Sequence, residues 1–165
     1  MSDRDTDALI AAGGMRPADA ADEAALPAKY NGLADPAGAE QLGRLIAEQA
    51  RPLQPSVVLV WEDPEDIVLG HVVARELGVR AVRAWNADGL VGQSSPLHAG
   101  DRALLVLDAV RDPRAVRAVQ AVVDRDGGTL VGTAVLQSTE ALADPTSDPG
   151  TIISLSQAER SSAQG

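Results

Sequence analysis

Residues 103–116 read ALLVLDAVRDPRAV. The apolar run at 103–106 has the make-up of a strand buried on both faces of a sheet. It ends near an acid, Asp108, and the chain then turns into an apolar-periodic helix. Many nucleotide sites are built this way, with a phosphate resting on the free N–H groups of the helix start. At the turn, where a phosphate site wants glycines and hydroxyls, this chain has Arg111, Asp112, Pro113 and Arg114. The stretch therefore predicts the scaffold of a phosphate site whose loop has been rewritten.

The same alternation extends to both sides. SVVLVW at 56–61 is a continuous β-branched run, VRAVRA at 79–84 a shorter one, and TLVGTAVL at 129–136 another. Between them lie predicted helices at 64–77, stopped by Gly78, and at 113–125, stopped by Gly127 and Gly128. Upstream, Asp35 can cap a helix over 36–50 with Pro36 at its first position and Leu42, Leu45 and Ile46 on one face. TIISL near the end adds a further short strand, and residues 85–101 read as a long Gly/Pro loop. The order β-α-β, loop, β-α-β predicts an α/β fold with a doubly wound parallel sheet, whose ligands sit beyond the carboxyl ends of the strands. Residues 1–27 are acidic and Ala-rich, and Gly13, Gly14, Pro17 and Pro27 break any continuous helix, so a flexible arm is expected there. The domain proper is expected over 28–156 and a disordered tail over 157–165.

Composition narrows the function classes. Fourteen basic against twenty-four acidic residues give a formal charge of −10, which opposes nucleic-acid binding by phosphate neutralisation. The absence of cysteine removes thiolate chemistry and sulfur-ligated zinc, and two separated histidines make no metal cluster alone. His71 reads as structural and His98 as solvent-facing. No signal-like apolar segment or long apolar span is seen, so a soluble, cytoplasmic protein without membrane contact is expected.

DIVLGHVVARELGVRAVRA at 66–84, followed by LHAGDRALLVLDAV at 97–110 and VVDRDGGTLVGTAVL at 122–136, resembles the type I phosphoribosyltransferases, and the orotate phosphoribosyltransferases most closely. The resemblance spans roughly residues 29–138. It implies a five-stranded parallel core sheet, a homodimer, and transfer of a phosphoribosyl group from PRPP to a base with magnesium. Against the family's PRPP loop the apolar pair falls on Ala109 and Val110, and of the six diagnostic residues only Asp108 survives: Leu107 takes the place of the first acid, Arg111 and Asp112 of the hydroxyl pair, and Pro113 and Arg114 of the glycine pair. The turn that would hold pyrophosphate reads WEDPED, with Trp61, Glu62, Asp63, Glu65 and Asp66. The family's loop lysine should fall within 85–101, which holds neither lysine nor arginine; Lys29 is the chain's only lysine.

DP stands at both seats, as Asp63 with Pro64 and Asp112 with Pro113. An Asp cap brings its own carboxylate to the helix N–H groups, and Pro removes one donor, so both seats are expected to be filled internally. Several readings stay open at this level. Asp108 suits a ribose contact or a structural acid. Arg111 and Arg114 suit an anion clamp or a solvated first turn. Trp61 and Trp85, both at the carboxyl edge, could converge as a lid or stacking platform or pack into the core. The acids of WEDPED suit a Mg²⁺ or Ca²⁺ site or simply the helix dipole. The expectation that follows is a non-catalytic phosphoribosyltransferase-fold protein, a binding, regulatory or assembly subunit that needs no cofactor. It forms a homodimer or pairs with another protein subunit. The alternative is an active phosphoribosyltransferase with an atypical site and magnesium.

Overall fold

The computed structural model describes residues 3–13, 30–110, 112–138, 142 and 148–156. Helix α1 is Asp3–Ala12 and α2 is Pro36–Ala50, followed by a 3-10 turn at Arg51–Leu53 and strand β1 at Val57–Trp61. Then come α3 (Pro64–Leu77), β2 (Arg80–Ala87), β3 (Leu90–Gln93), β4 (Arg102–Ala109), α4 (Pro113–Arg125), β5 (Thr129–Gln137) and β6 (Thr151–Ser156).

The strands form one sheet in the order β3-β2-β1-β4-β5-β6, in which only the β2–β3 pair is antiparallel. Five parallel strands thus form the core, as the alternation of Val-rich runs and capped helices predicts. The order reverses between β1 and β4, and the carboxyl ends of those two strands flank the switch point where such sheets bind ligands. Val57 to Val60 are buried without a break, because α2 and α3 cover one face of the sheet and α4 the other. Leu42, Ile46, Leu69 and Val73 meet Val58, Val60, Leu104 and Val106 on the first face. On the second, Val116, Val119 and Val123 of α4 meet Leu59, Leu105 and Val135.

The three long helices occupy the predicted spans, α2 with the Asp35 carboxylate accepting the Gly38 N–H at 3.1 Å and α3 ending on Gly78 at φ 72°. Two elements differ from the sequence reading. The interval 85–101 is not all loop: β2 runs on to Ala87 and returns as β3 through Asp88 and Gly89, both left-handed at φ 52° and 84°. That is the two-residue turn whose twist suits a hairpin. The start of the expected flexible arm is a helix, α1, with Thr6 and Ile10 buried and contacts to α2 and β6. Every glycine and proline counted against a helix there lies after Ala12, so nothing opposes helix formation over 3–12. The rest of the arm and the tail at 157–165 lie outside the described residues.

Candidate functional site

Asp108 lies within β4, which continues to Ala109, and only 1 % of it is exposed. Its Oδ2 accepts the main-chain N–H of Tyr30 at 3.0 Å, and its Oδ1 accepts that of Ala109 at 2.6 Å. The N–H of Asp108 itself donates to Oδ1 of Asp66 at 2.8 Å. Asp66 is in the first turn of α3 and is also buried. The two sequence stretches singled out for their acids are therefore joined side chain to main chain at the switch point. Hydrogen bonds from N–H groups to carboxylates are among the stronger kind.

The helix starts divide. Asp112 caps α4 with its carboxylate, accepting the Arg114 N–H at 2.9 Å. Asp63 holds the same position in α3, but its side chain makes no cap hydrogen bond; its carbonyl accepts from Ile67 N–H at 3.0 Å. The expectation of a carboxylate cap at both seats is corrected at this one. With Pro64 next, the first-turn acid that is buried is Asp66, and its Oδ1 accepts from β4. Glu62 is exposed and Glu65 half-buried. Arg114 is exposed in the first turn of α4, and Arg111 lies outside the described residues.

Trp61 and Trp85 do not converge. Trp61 pairs in register with Ala84, so their side chains share the face covered by α4, where Trp61 packs against the Leu59 and Leu105 cluster. Trp85 is the next residue along β2 and points to the opposite face. There its indole lies against Gly92 of β3, where an added Cβ would fall 2.5 Å from Cε2. The Arg83 guanidinium sits 5.3 Å from the ring centroid. A stacking platform shared by the two tryptophans is thus ruled out by strand register, and the Trp85 ring is engaged by its own hairpin.

Tyr30 went unnoticed in the sequence. It is fully buried against Gly13 and Gly32, and burial, helped by the charge of Asp35, pushes its phenol up to about 12. Its contribution to Asp108 is a main-chain N–H, which leaves no mark in a sequence; the one available signal is that it is the only tyrosine. A second polar cluster lies at the amino edge of the sheet, where Asp101 accepts from Ser56 Oγ at 2.9 Å, Arg80 at 2.6 Å and His98 N–H at 2.8 Å. Burial pushes the Asp101 carboxyl up, but these donors outweigh it and hold it below its usual range. The His98 side chain is largely exposed, as expected. His71 is exposed too, on the rim of an apolar groove of about 350 Å³ between α2 and α3 that Gly32, Leu33, Ile67 and Val68 help to line. Among the described residues no helix is long and apolar enough to cross a membrane.

This sheet order, with its switch point and its covering helices, is the fold of the type I phosphoribosyltransferases. The chain superposes on adenine phosphoribosyltransferase from Rhodothermus marinus with a TM-score of 0.74, at 17 % identity over 94 % of this chain and 99 % of that one. The Saccharomyces cerevisiae enzyme, solved with adenine and an imino-altritol bisphosphate, gives 0.71 at 17 % identity over 92 % and 98 %. Orotate phosphoribosyltransferase from Mycobacterium tuberculosis, solved with inorganic phosphate, gives 0.59 at 24 % identity over 73 % and 70 %. In sequence the chain is similar to orotate phosphoribosyltransferase of Pelotomaculum thermopropionicum, 35 % identical over 72 residues. That match takes in 42 % of this chain and 38 % of the relative, so the chain matches well under half the length of that protein. No family model matches the chain.

Proposed function

We propose that the chain is a non-catalytic phosphoribosyltransferase-fold protein, a cytoplasmic binding, regulatory or assembly subunit that no longer binds PRPP. The observation that carries this reading is the state of Asp108. The one acid of the family's PRPP loop kept in type has both carboxylate oxygens on main-chain N–H groups of its own chain, Tyr30 and Ala109. The Asp112 carboxylate occupies the start of α4, where a phosphate would rest on the same N–H groups.

Electrostatics supports the same reading at the other loop. Each carboxylate of Glu62, Asp63, Glu65 and Asp66 within about 4 Å of a phosphate charge would oppose it by about 1 kcal/mol in water and about 4 kcal/mol at an effective dielectric near 20. The magnesium of the family would need carboxylate oxygens open to it. Asp66 and Asp108 already spend carboxylate oxygens on main-chain N–H groups, which supports a site that works without that ion.

The partner proposed is a second copy of the chain. Its candidate surface is the α2–α3 groove, beside which Leu33 is 73 % and Ile67 37 % exposed. Calorimetry with PRPP and Mg²⁺ at millimolar ligand, beside a sensitive assay for nucleotide formation from orotate, tests the main reading. Neither heat nor product is expected. Saturable binding at or below about 100 μM, about −5.5 kcal/mol, would overturn it in favour of an active enzyme with an atypical site.

A further inference from the structure

The contact between Tyr30 and Asp108 does more than satisfy an acid. Tyr30 and Asn31 run across the switch point and are tied at their other side to the end of α1. The Asn31 N–H donates to the Gly13 carbonyl at 2.7 Å, and the Tyr30 ring lies so close to Gly13 that an added Cβ would fall 2.0 Å from Cε2. Gly32 lies against Val68 of α3, and a turn closed by Ala34 N–H on the Asn31 carbonyl at 3.1 Å leads into α2.

We propose that residues 30–34 form an autoinhibitory strap. The Tyr30 main chain is clamped on Asp108 and anchored through Gly13 to α1, so it keeps that acid from any hydroxyl-bearing ligand until the strap lifts. The proposal rests on the reading above that Asp108 marks the fold's ligand position.

Two observations support the strap. It bonds Asp108 through an N–H, the same kind of donor a ligand hydroxyl would offer, so closing exchanges one donor for another. Among the described residues the buried Tyr30 hydroxyl has no hydrogen-bond partner, a cost that offsets part of the gain from closing. Closed and open forms are brought nearer in energy by that cost, and because Tyr30 and Asn31 both rest on Gly13, opening is coupled to the undocking of α1.

The chain carries its own probe, since Tyr30 is the only tyrosine in the sequence. Three readouts apply: amide exchange at Tyr30 by NMR, nitration of Tyr30 with tetranitromethane, and carbodiimide footprinting of Asp108. In the unmodified chain the Tyr30 amide should exchange at least about tenfold more slowly than that of exposed Asp88 in the β2–β3 turn, equivalent to about 1.4 kcal/mol. Gly13→Ala drives a methyl into the ring without touching the acid, and should raise nitration of Tyr30 and labelling of Asp108 together by about tenfold. Asp108→Ala should raise nitration as well. Should Asp108→Ala fail to fold, the unmodified chain and Gly13→Ala still decide. A Tyr30 amide as fast as that of Asp88, or a folded Gly13→Ala variant with both residues still protected, overturns the strap. PRPP binding by the unmodified chain with Tyr30 protected would overturn the proposed function alone.

Discussion

Oδ1 of Asp66 accepts the main-chain N–H of Asp108 at 2.8 Å, and both residues are buried. The first turn of α3 is thereby fixed to the end of β4, across the point where the strand order reverses. Asp66→Ala would leave a buried N–H without this acceptor, which costs about 1–3 kcal/mol. Asp66→Asn keeps an oxygen in place and should recover most of the loss. Urea denaturation measures both, and an alanine variant as stable as the parent would show that the bond contributes nothing.

The Asp101 cluster sets a pH dependence. Its carboxyl is held below its unfolded value near 3.9, so its contribution is fully present above that pH and is lost as the pH falls through the lower folded value. Asp101→Asn should cost about 1–2 kcal/mol at neutral pH by weakening hydrogen bonds from Arg80, Ser56 and His98. It should also flatten the fall in stability below about pH 4. Thermal melts from pH 7 to 2.5 test this, and parallel curves for parent and variant would contradict it.

The hairpin turn gives a sharper backbone test. Asp88 sits at φ 52°, so Asp88→Ala should destabilise by about 1 kcal/mol, whereas Asp88→Gly should be near neutral or stabilising. Equal effects of the two substitutions would mean that the turn is not left-handed.

For assembly, sedimentation at high micromolar concentration should show a species of twice 17.0 kDa. Leu33→Asp with Ile67→Asp should convert it to a monomer without loss of helix content by circular dichroism. A parent that sediments as a monomer, or a double variant that remains dimeric, would remove the groove from the interface.

The sheet and the long helices were legible because their signals are local. β1 is a run of β-branched residues, and each long helix begins at an Asp-Pro pair. β3 does not stand out in the sequence, because Asp88 and Gly89 suit a Gly/Pro loop as well as a two-residue turn between Trp85–Ala87 and Leu90–Val91. α1 is obscured by the helix breakers that follow it from Gly13 onward, which bear on the chain beyond Ala12 and not on residues 3–12. The site was harder. The facing of Trp61 and Trp85 follows from strand register, which composition does not specify. The partner of Asp108 is an N–H that any residue but proline could supply, so nothing in the residue type at position 30 announces it.

The bond from Tyr30 to Asp108 closes 78 residues of chain. A contact so distant in sequence cannot form at useful frequency until β1 and β4 have paired and brought its ends together, since closing the loop alone costs entropy that one hydrogen bond does not return. It therefore belongs to the last events of folding and the first of unfolding. Substitutions that weaken it should speed unfolding while leaving the refolding rate nearly unchanged.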